Sequence, residues 1–280
     1  MKDRKLPQVL LGEFSGKSRC LPDLKRHGFG RMWSSYGPDW SYEGEPWGFD
    51  NGAWSAFAQG EDFPSDKFVR RMSRARNVET QSPILAALPD VVGCGMATLA
   101  QSEQWLSSGE LVPSWPWFLV AQDGMCPVRA LRLIKAYNVS GIFLGGTDEF
   151  KKQSAFWCHF AHTHSIGFHY GRCNRETWLR DAIRIGADSI DTTRPVRAAH
   201  SGEYSRYMRW VQIATGQDRH VDLPWLSVGV TVQVVRDTDG AVGTHGVIEA
   251  VFNSGRVQVR IDGHGIRNLS SDDVRATECQ

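Results

Sequence analysis

The chain has 280 residues, 41% of them apolar, and a net charge of +1 at neutral pH. That length suits one large α/β domain with a small module, or two ordinary domains, and the apolar share supports a real core. Balanced charge excludes an overwhelmingly basic surface, though local clusters can still hold a phosphate backbone. Six scattered cysteines (Cys20, Cys94, Cys126, Cys158, Cys173 and Cys279) with no C-x-x-C pair exclude a disulfide framework or zinc ribbon.

Short apolar runs alternate with amphipathic stretches along the chain. The strand candidates, in order, are QVLLGEF, WGFDNGAW, PILAALPD, WFLVAQDG, GIFLGGT, GFHYGR and DSIDTT. Between them, residues 65–76, 97–107, 127–137, 148–164 and 175–185 read as helices. Phe68, Met72 and Ala75 recur at helical spacing, as do Trp178, Ala182 and Ile185. Strand and helix in alternation predict a parallel sheet with helices outside it. Pattern alone admits a closed barrel or an open sheet. Asp50, Asp90, Gln122, Gly145, Gly146, Arg172 and Asp191 all fall at C-terminal ends of predicted strands. A barrel builds its site from such ends, one or two residues per strand, whereas an open sheet gathers its site at a switch point. The expectation is a TIM-type (β/α)8 barrel over residues 1–223, with room for an irregular first or last unit. A last helix is expected within residues 200–223. After about Pro224 the pattern changes to VGVTVQVV, GTHGVIEAVF and GRVQVRID, separated by DTDG, NSG and DGHG turns. Residues 224–280 therefore read as a small β-barrel of the SH3 or KOW sort. Arg236, Arg256, Arg260, Arg267 and Arg275 lie in it. They suit a polynucleotide backbone, or mark only a structural or protein-docking appendage.

The stretch GADSIDTTRP sets Asp188 and Asp191 in an apolar strand-like run. A half-buried carboxylate is costly unless it is paired or has a task. Each motif alone has a plain reading. Asp50, before Asn51-Gly52, can serve a turn. The Gly145-Gly146 pair can be a tight loop, or can let backbone approach a flat ligand, and no G-x-G-x-x-G dinucleotide fingerprint is present. His159 and His162 share a helical face, but without H-E-x-x-H they read as a solvated edge before a metal pair. The basic run from Lys67 through Arg70, Arg71 and Arg74 to Arg76 reads as a solvated face that could also touch phosphates. Most of the 11 tryptophans are expected to fill core or grooves.

In combination, five motifs in order from Trp47 to Pro195 resemble the tRNA-guanine transglycosylase superfamily. FDNGAW resembles its D-S-G-G-F motif, ALPD its base-reading aspartate, LVAQDG its V-Q-G-G and IFLGGT its G-G-L turn. GRCNRETWLRDAIRIGADSIDTTRP resembles the stretch ending in G-x-D-x-F-D-C-V-x-P-T-R. LGGTDEFK, HYGR and GADSIDTT are most similar to the phage and bacterial DNA 7-deazaguanine transglycosylases, the DpdA-like branch. The resemblance implies a TIM barrel and a base-exchange reaction. By position it makes Asp191 the nucleophile on C1′, Asp50 the proton shuttle, and Asp90, Gln122, Gly145 and Gly146 the base-reading set. Asp188 becomes a second, less defined aspartate, Arg194 a phosphate contact and Arg172 a further substrate contact. The chemistry suits these types, because a carboxylate nucleophile splits N-glycoside exchange into two steps while a second acid moves the proton. It requires neither metal nor other cofactor.

One departure is plain. The tRNA enzymes carry a zinc site of three cysteines and a histidine after the nucleophile, and here only Cys279 lies beyond Asp191. No structural zinc is therefore expected, and DNA is favoured over tRNA as polymer. The expected partners are DNA, whose target base must be flipped out, and a free 7-deazapurine base such as preQ0. Oligomeric state is open. A DNA glycosylase, a tRNA-guanine transglycosylase and a non-catalytic nucleic-acid-binding protein are the competing readings. No run approaches the roughly 20 apolar residues of a membrane helix, and the basic start lacks a signal-peptide core. The expectation is a soluble, cytoplasmic protein, in the host cytoplasm if the source is viral.

Overall fold

The computed structural model describes residues 6–12, 21–34, 45–217, 231–234, 245–251, 256–261, 265–270 and 274–276. Eight parallel strands close into a barrel in chain order: β1 (Gln8–Leu11), β2 (Gly30–Ser34), β3 (Trp47–Asp50), β4 (Leu85–Ala87), β5 (Trp117–Ala121), β6 (Gly141–Leu144), β7 (Gly167–Tyr170) and β8 (Ser189–Thr192). Closure is made by β1 on β8, with Leu10 opposite Asp191. This is the TIM-barrel fold expected from polar residues at the C-terminal ends of the successive strands. Strands such as β5 (WFLVA) and β6 (GIFL) read as continuous apolar runs because both faces are covered.

The inner face carries Leu10, Met32, Leu85, Ala87, Phe118, Val120 and Phe143 as one buried cluster. On the outside lie α1 (Leu21–Arg26), α2 (Ala53–Ala58), α3 (Ser65–Val78), α4 (Gly95–Ser108), α5 (Pro127–Tyr137), α6 (Ser154–Thr163), α7 (Glu176–Ile185), α8 (Arg194–His200) and α9 (Tyr204–Ala214). A 3-10 turn, Phe150–Gln153, precedes α6. Helix α3 buries Phe68, Met72 and Ala75, as its spacing predicts, and exposes Arg70, Arg74 and Arg76, while Arg71 reaches β2 and donates to Ser34 O at 3.0 Å. Helix α7 buries Leu179, Ala182 and Ile183. Trp178 is displaced from that apolar stripe because its ring receives the cations of Lys151 and Arg175, 4.4 and 4.5 Å from its centroid. Much of the tryptophan content is core. Trp47, Trp115 and Trp117 interlock with Phe49 and Phe68 between β3–β5 and α3, at centroid spacings of 5.2–6.4 Å.

Two expectations on element boundaries are revised. WGFDNGAW is not one strand. The chain leaves β3 at Asp50, turns at Gly52, and enters α2 with the Asn51 side chain accepting the Ala53 N–H at 2.8 Å. The run 148–164 is broken, with the 3-10 turn ahead of α6.

The chain divides into two compact units, Met1–Thr215 and Gly216–Gln280. The second contains β9 (Thr231–Val234), β10 (His245–Val251), β11 (Arg256–Ile261), β12 (Gly265–Ser270) and β13 (Val274–Ala276). They form an antiparallel sheet in the order β12-β11-β10-β9-β13, a meander whose last strand returns beside the first as in SH3 barrels. On β11, Val259 and Ile261 are buried and Arg260 is exposed, the alternation of a half-covered sheet. Arg236 and the DTDG and NSG turns lie outside the described residues. No helix among the described residues is long and apolar enough to cross a membrane.

Candidate active site

The barrel's C-terminal mouth opens into a cavity of about 280 Å³. Asp50, Asp90, Gln122, Gly145, Gly146, Arg172 and Asp191 all line it. The period of two explains how β3 delivers Asp50. Gly48 sits against Leu10 and Met32 inside the barrel, and Asp50, two residues on, continues that face to the mouth. Trp47 and Phe49 point outward into the aromatic layer. On β8 the same alternation brings Ser189 and Asp191 inward beside His169 of β7.

Asp191 is held on one oxygen. Its Oδ1 accepts His169 Nε2–H at 3.0 Å and the Arg172 backbone N–H at 2.8 Å. The other His169 nitrogen, Nδ1, lies 2.8 Å from Ser189 Oγ. No hydrogen bond within the described residues engages Asp191 Oδ2, on a residue that lines the cavity. Burial works to raise the Asp191 carboxyl. The His169 hydrogen bond and charge, the Arg172 N–H and the Lys151 charge overcome it and hold the group below its ordinary value.

Asp50 behaves in the opposite way. Burial, then the charges of Asp191 and Asp90, push its carboxyl up to about 7 against hydrogen bonds from Ser34 and Gly52. Asp90 is clasped between two side-chain amides. Asn51 Nδ2 donates to its Oδ1 at 2.7 Å and Gln122 Nε2 to its Oδ2 at 2.6 Å. Burial raises Asp90 to about 6, with the two amides and Arg172 pulling down. The Gln122 carbonyl accepts the Gly93 N–H at 3.0 Å, which fixes which way its amide faces.

The floor between these groups depends on glycine. A Cβ at Gly145 would lie 2.8 Å from Gln122 Nε2 and 2.9 Å from Val120. Gly146 has φ +71°, and a Cβ there would meet the Phe150 ring at 2.4 Å. The Arg172 guanidinium donates to Gly146 O and stacks 3.9 Å from the centroid of the half-exposed Trp54.

Two residues expected at the site are elsewhere. Asp188 does not line the cavity. It precedes β8, at the strand's N-terminal end, and its Oδ2 accepts the Phe168 N–H at 2.9 Å and pairs with His162 Nε2 at 3.0 Å. It lies three positions before Asp191, and along a strand that spacing puts the two at different ends and on opposite faces. Arg194 opens α8 exposed to solvent and off the cavity, and the arginine of that segment that lines the mouth is Arg197. Sequence reasoning also passed over Asn51, Trp54 and His169. Asn51 and Trp54 stand inside the FDNGAW motif, and a histidine between apolar neighbours in GFHY is the signal for His169. No group of three or more His, Cys, Asp or Glu side chains able to hold a metal occurs among the described residues.

No family model matches the chain, and no curated protein does. Among solved structures it is similar to N-acetylneuraminate lyase from Mycoplasma synoviae, crystal form II, with 12% identity and a TM-score of 0.35. That match covers 63% of this chain and 57% of the lyase, so the chain spans less than two thirds of that protein's length. The barrel itself is established by strand order and register, and its mouth is where enzymes of this architecture carry their chemistry.

The cavity is just below the roughly 300–1,000 Å³ of small-molecule sites, a scale that suits one heterocycle. It offers one carboxylate kept anionic with a free oxygen, one carboxyl that holds its proton near neutrality, and a third carboxyl, Asp90, fixed by two amide donors. Two titratable groups pushed apart in this way form the usual division between nucleophile and acid.

Proposed function

We propose that the chain is a base-exchanging transglycosylase that replaces guanine in DNA by a 7-deazaguanine of the preQ0 kind. The observation that carries the reading is the opposed protonation of Asp191 and Asp50 in one cavity. In the first half-reaction Asp191 Oδ2 attacks C1′, the C1′–N9 bond breaks with its electron pair going to the purine, and Asp50 gives the purine a proton. In the second, Asp50 takes the N9 proton of the incoming deazapurine, N9 attacks C1′, and the C1′–O bond to Asp191 breaks. Two inversions give net retention, one N-glycoside replaces another, and no oxidant or reductant enters. Asp90, Gln122 and the Gly145–Gly146 backbone suit the N–H-rich edge of a guanine-like base. DNA is favoured because α8 and α9 follow Asp191 where the tRNA enzymes have their Cys3His cluster.

The decisive experiment supplies labelled preQ0 with DNA, and with tRNA in a parallel reaction. Label in DNA, together with a DNA adduct on the Asp191 peptide by mass spectrometry, supports the reading. An abasic site without label points to the hydrolytic glycosylase. Label in tRNA alone overturns the choice of polymer. DNA binding with neither adduct nor exchange leaves a binding protein.

A further inference from the structure

Lys151 is buried, at 2% exposure, inside the 3-10 turn between β6 and α6. Among the described residues no carboxylate forms a salt bridge with it. Its ammonium donates to Gly171 O and, at 3.4 Å, to Arg172 O. The rings of Trp178 and Tyr170 cover it, with centroids 4.4 and 5.3 Å from Nζ. Burying an ammonium in this way is costly, and a purely structural position would favour an apolar side chain of the same length.

What the ammonium touches suggests its task. The Gly171 carbonyl and the Arg172 N–H belong to one peptide group, and that N–H is the 2.8 Å donor to Asp191 Oδ1. In a trans peptide the two dipole ends point in opposite directions, so a cation on the oxygen strengthens the N–H as a donor. Arg172 also carries φ +50°, a left-handed conformation that a non-glycine residue keeps only when its surroundings hold it there.

We propose that Lys151 is a positioning residue: its ammonium fixes and polarises the Gly171–Arg172 peptide, and through that peptide keeps the Asp191 carboxylate anionic and aimed into the cavity. This rests on Asp191 being the nucleophile of the proposed reaction. The groups facing Lys151 are Tyr170, Arg172 and Cys173 of β7 and the loop after it, Asp191 of β8, Asp148 ahead of its own turn, and Asp181 of α7 across an outer groove. Burial, then the Arg172 charge, push the Lys151 amine down to about 7, with Asp191, Cys173 and Asp148 opposing. The charged clamp is therefore present below about pH 7 and fades above it.

The test is a 13Cγ-aspartate NMR titration of the full chain carrying Asp50→Asn, which removes the neighbouring carboxyl. The Asp191 signal is assigned by its loss in Asp191→Asn. Adding Lys151→Met should raise the Asp191 midpoint by about one pH unit, whereas Lys152→Met, at the exposed neighbour paired with Glu149, should leave it in place. With Lys151 intact, the Asp191 signal should show a second inflection near pH 7. If Lys151→Met does not fold, Lys151→Arg, which stays charged through that range, should abolish the second inflection, whereas an inflection from His169 or Asp90 would persist. An unmoved midpoint in a folded Lys151→Met protein, or no second inflection with Lys151 intact, overturns the proposal. In base exchange, Lys151→Met in the otherwise native chain should lower kcat roughly 10-fold with little change in KM. Absence of exchange by the native protein would defeat the functional reading, and the NMR titration would still report on the clamp.

Discussion

Asp191 gathers two N–H donors onto one oxygen, while Asp50 receives a 3.3 Å contact from Gly52 N–H and the Ser34 hydroxyl beside two other acidic groups. In the proposed reaction a near-isosteric Asp191→Asn removes the attacking carboxylate and should keep the fold, so exchange should fall by about 10²-fold or more. A smaller loss in initial rate would place the attacking atom elsewhere. Asp50→Asn should also abolish exchange, because purine departure needs its proton, and it carries a second, separable effect on stability. The folded carboxyl titrates at about 7, above its value of 3.8 when unperturbed. Between those values the native state binds the extra proton. Its stabilisation is complete below about pH 4 and is lost as the pH rises through about 7. At pH 8 the native chain must keep a buried carboxylate, so Asp50→Asn should gain on the order of 2 kcal/mol there and little at pH 4. Thermal melts at the two values check this. Equal shifts would mean that the carboxyl is not strained by its surroundings.

At the element scale, β2 shows how a strand can be hidden from its own sequence. GRMWS has an arginine in its middle, which breaks the apolar run that marks the other seven strands of the eight-stranded barrel. In the fold Arg31 lies under α3, ion-paired with Glu79, whose Oε1 also accepts Trp33 Nε1–H at 2.7 Å. Glu79 stands 48 residues further on, beyond any local window. Glu79→Leu should destabilise the barrel by about 3 kcal/mol in urea unfolding, because it leaves a buried charge without that partner. Arg31→Met added to it should restore most of the loss. Additive costs in the double variant would show that the two side chains are not coupled. The same distinction governs the rest of what the sequence makes legible. Strands, helices and the ring of polar residues at strand ends follow local periodicity, so Asp50, Asp90, Gln122 and Asp191 are visible in it. His169, Asn51 and Lys151 act through partners brought together only by barrel closure. Asp188 escapes a correct assignment because a motif does not say at which end of its strand a carboxylate lies.

At the scale of the molecule, the chain joins a barrel with a candidate active site to a small sheet that carries Arg256 and Arg260 on β11 and Arg267 on the adjacent β12, with Arg275 on β13 at the other edge. If that sheet follows a phosphate backbone, Arg256→Glu with Arg260→Glu in the full chain should weaken DNA binding. The slope of log affinity against log salt should become shallower by about one for each phosphate no longer neutralised. Unchanged affinity and slope would leave the sheet as a protein-docking or structural unit. The β1–β8 seam has a consequence for synthesis. Asp191 sits on the strand that pairs with the first strand, opposite Leu10, so the two edges of the candidate site are separated by almost the whole barrel sequence. Contacts of such range are slow to form, since the intervening loop must be ordered before they add stability. On a ribosome adding roughly 5–20 residues per second, the last strand emerges many seconds after the first. The chain therefore holds no complete reaction centre until the ring shuts. In the proposed reaction a nascent or partly folded copy would be inert, and the appearance of exchange in a refolding time course should mark the joining of the seam.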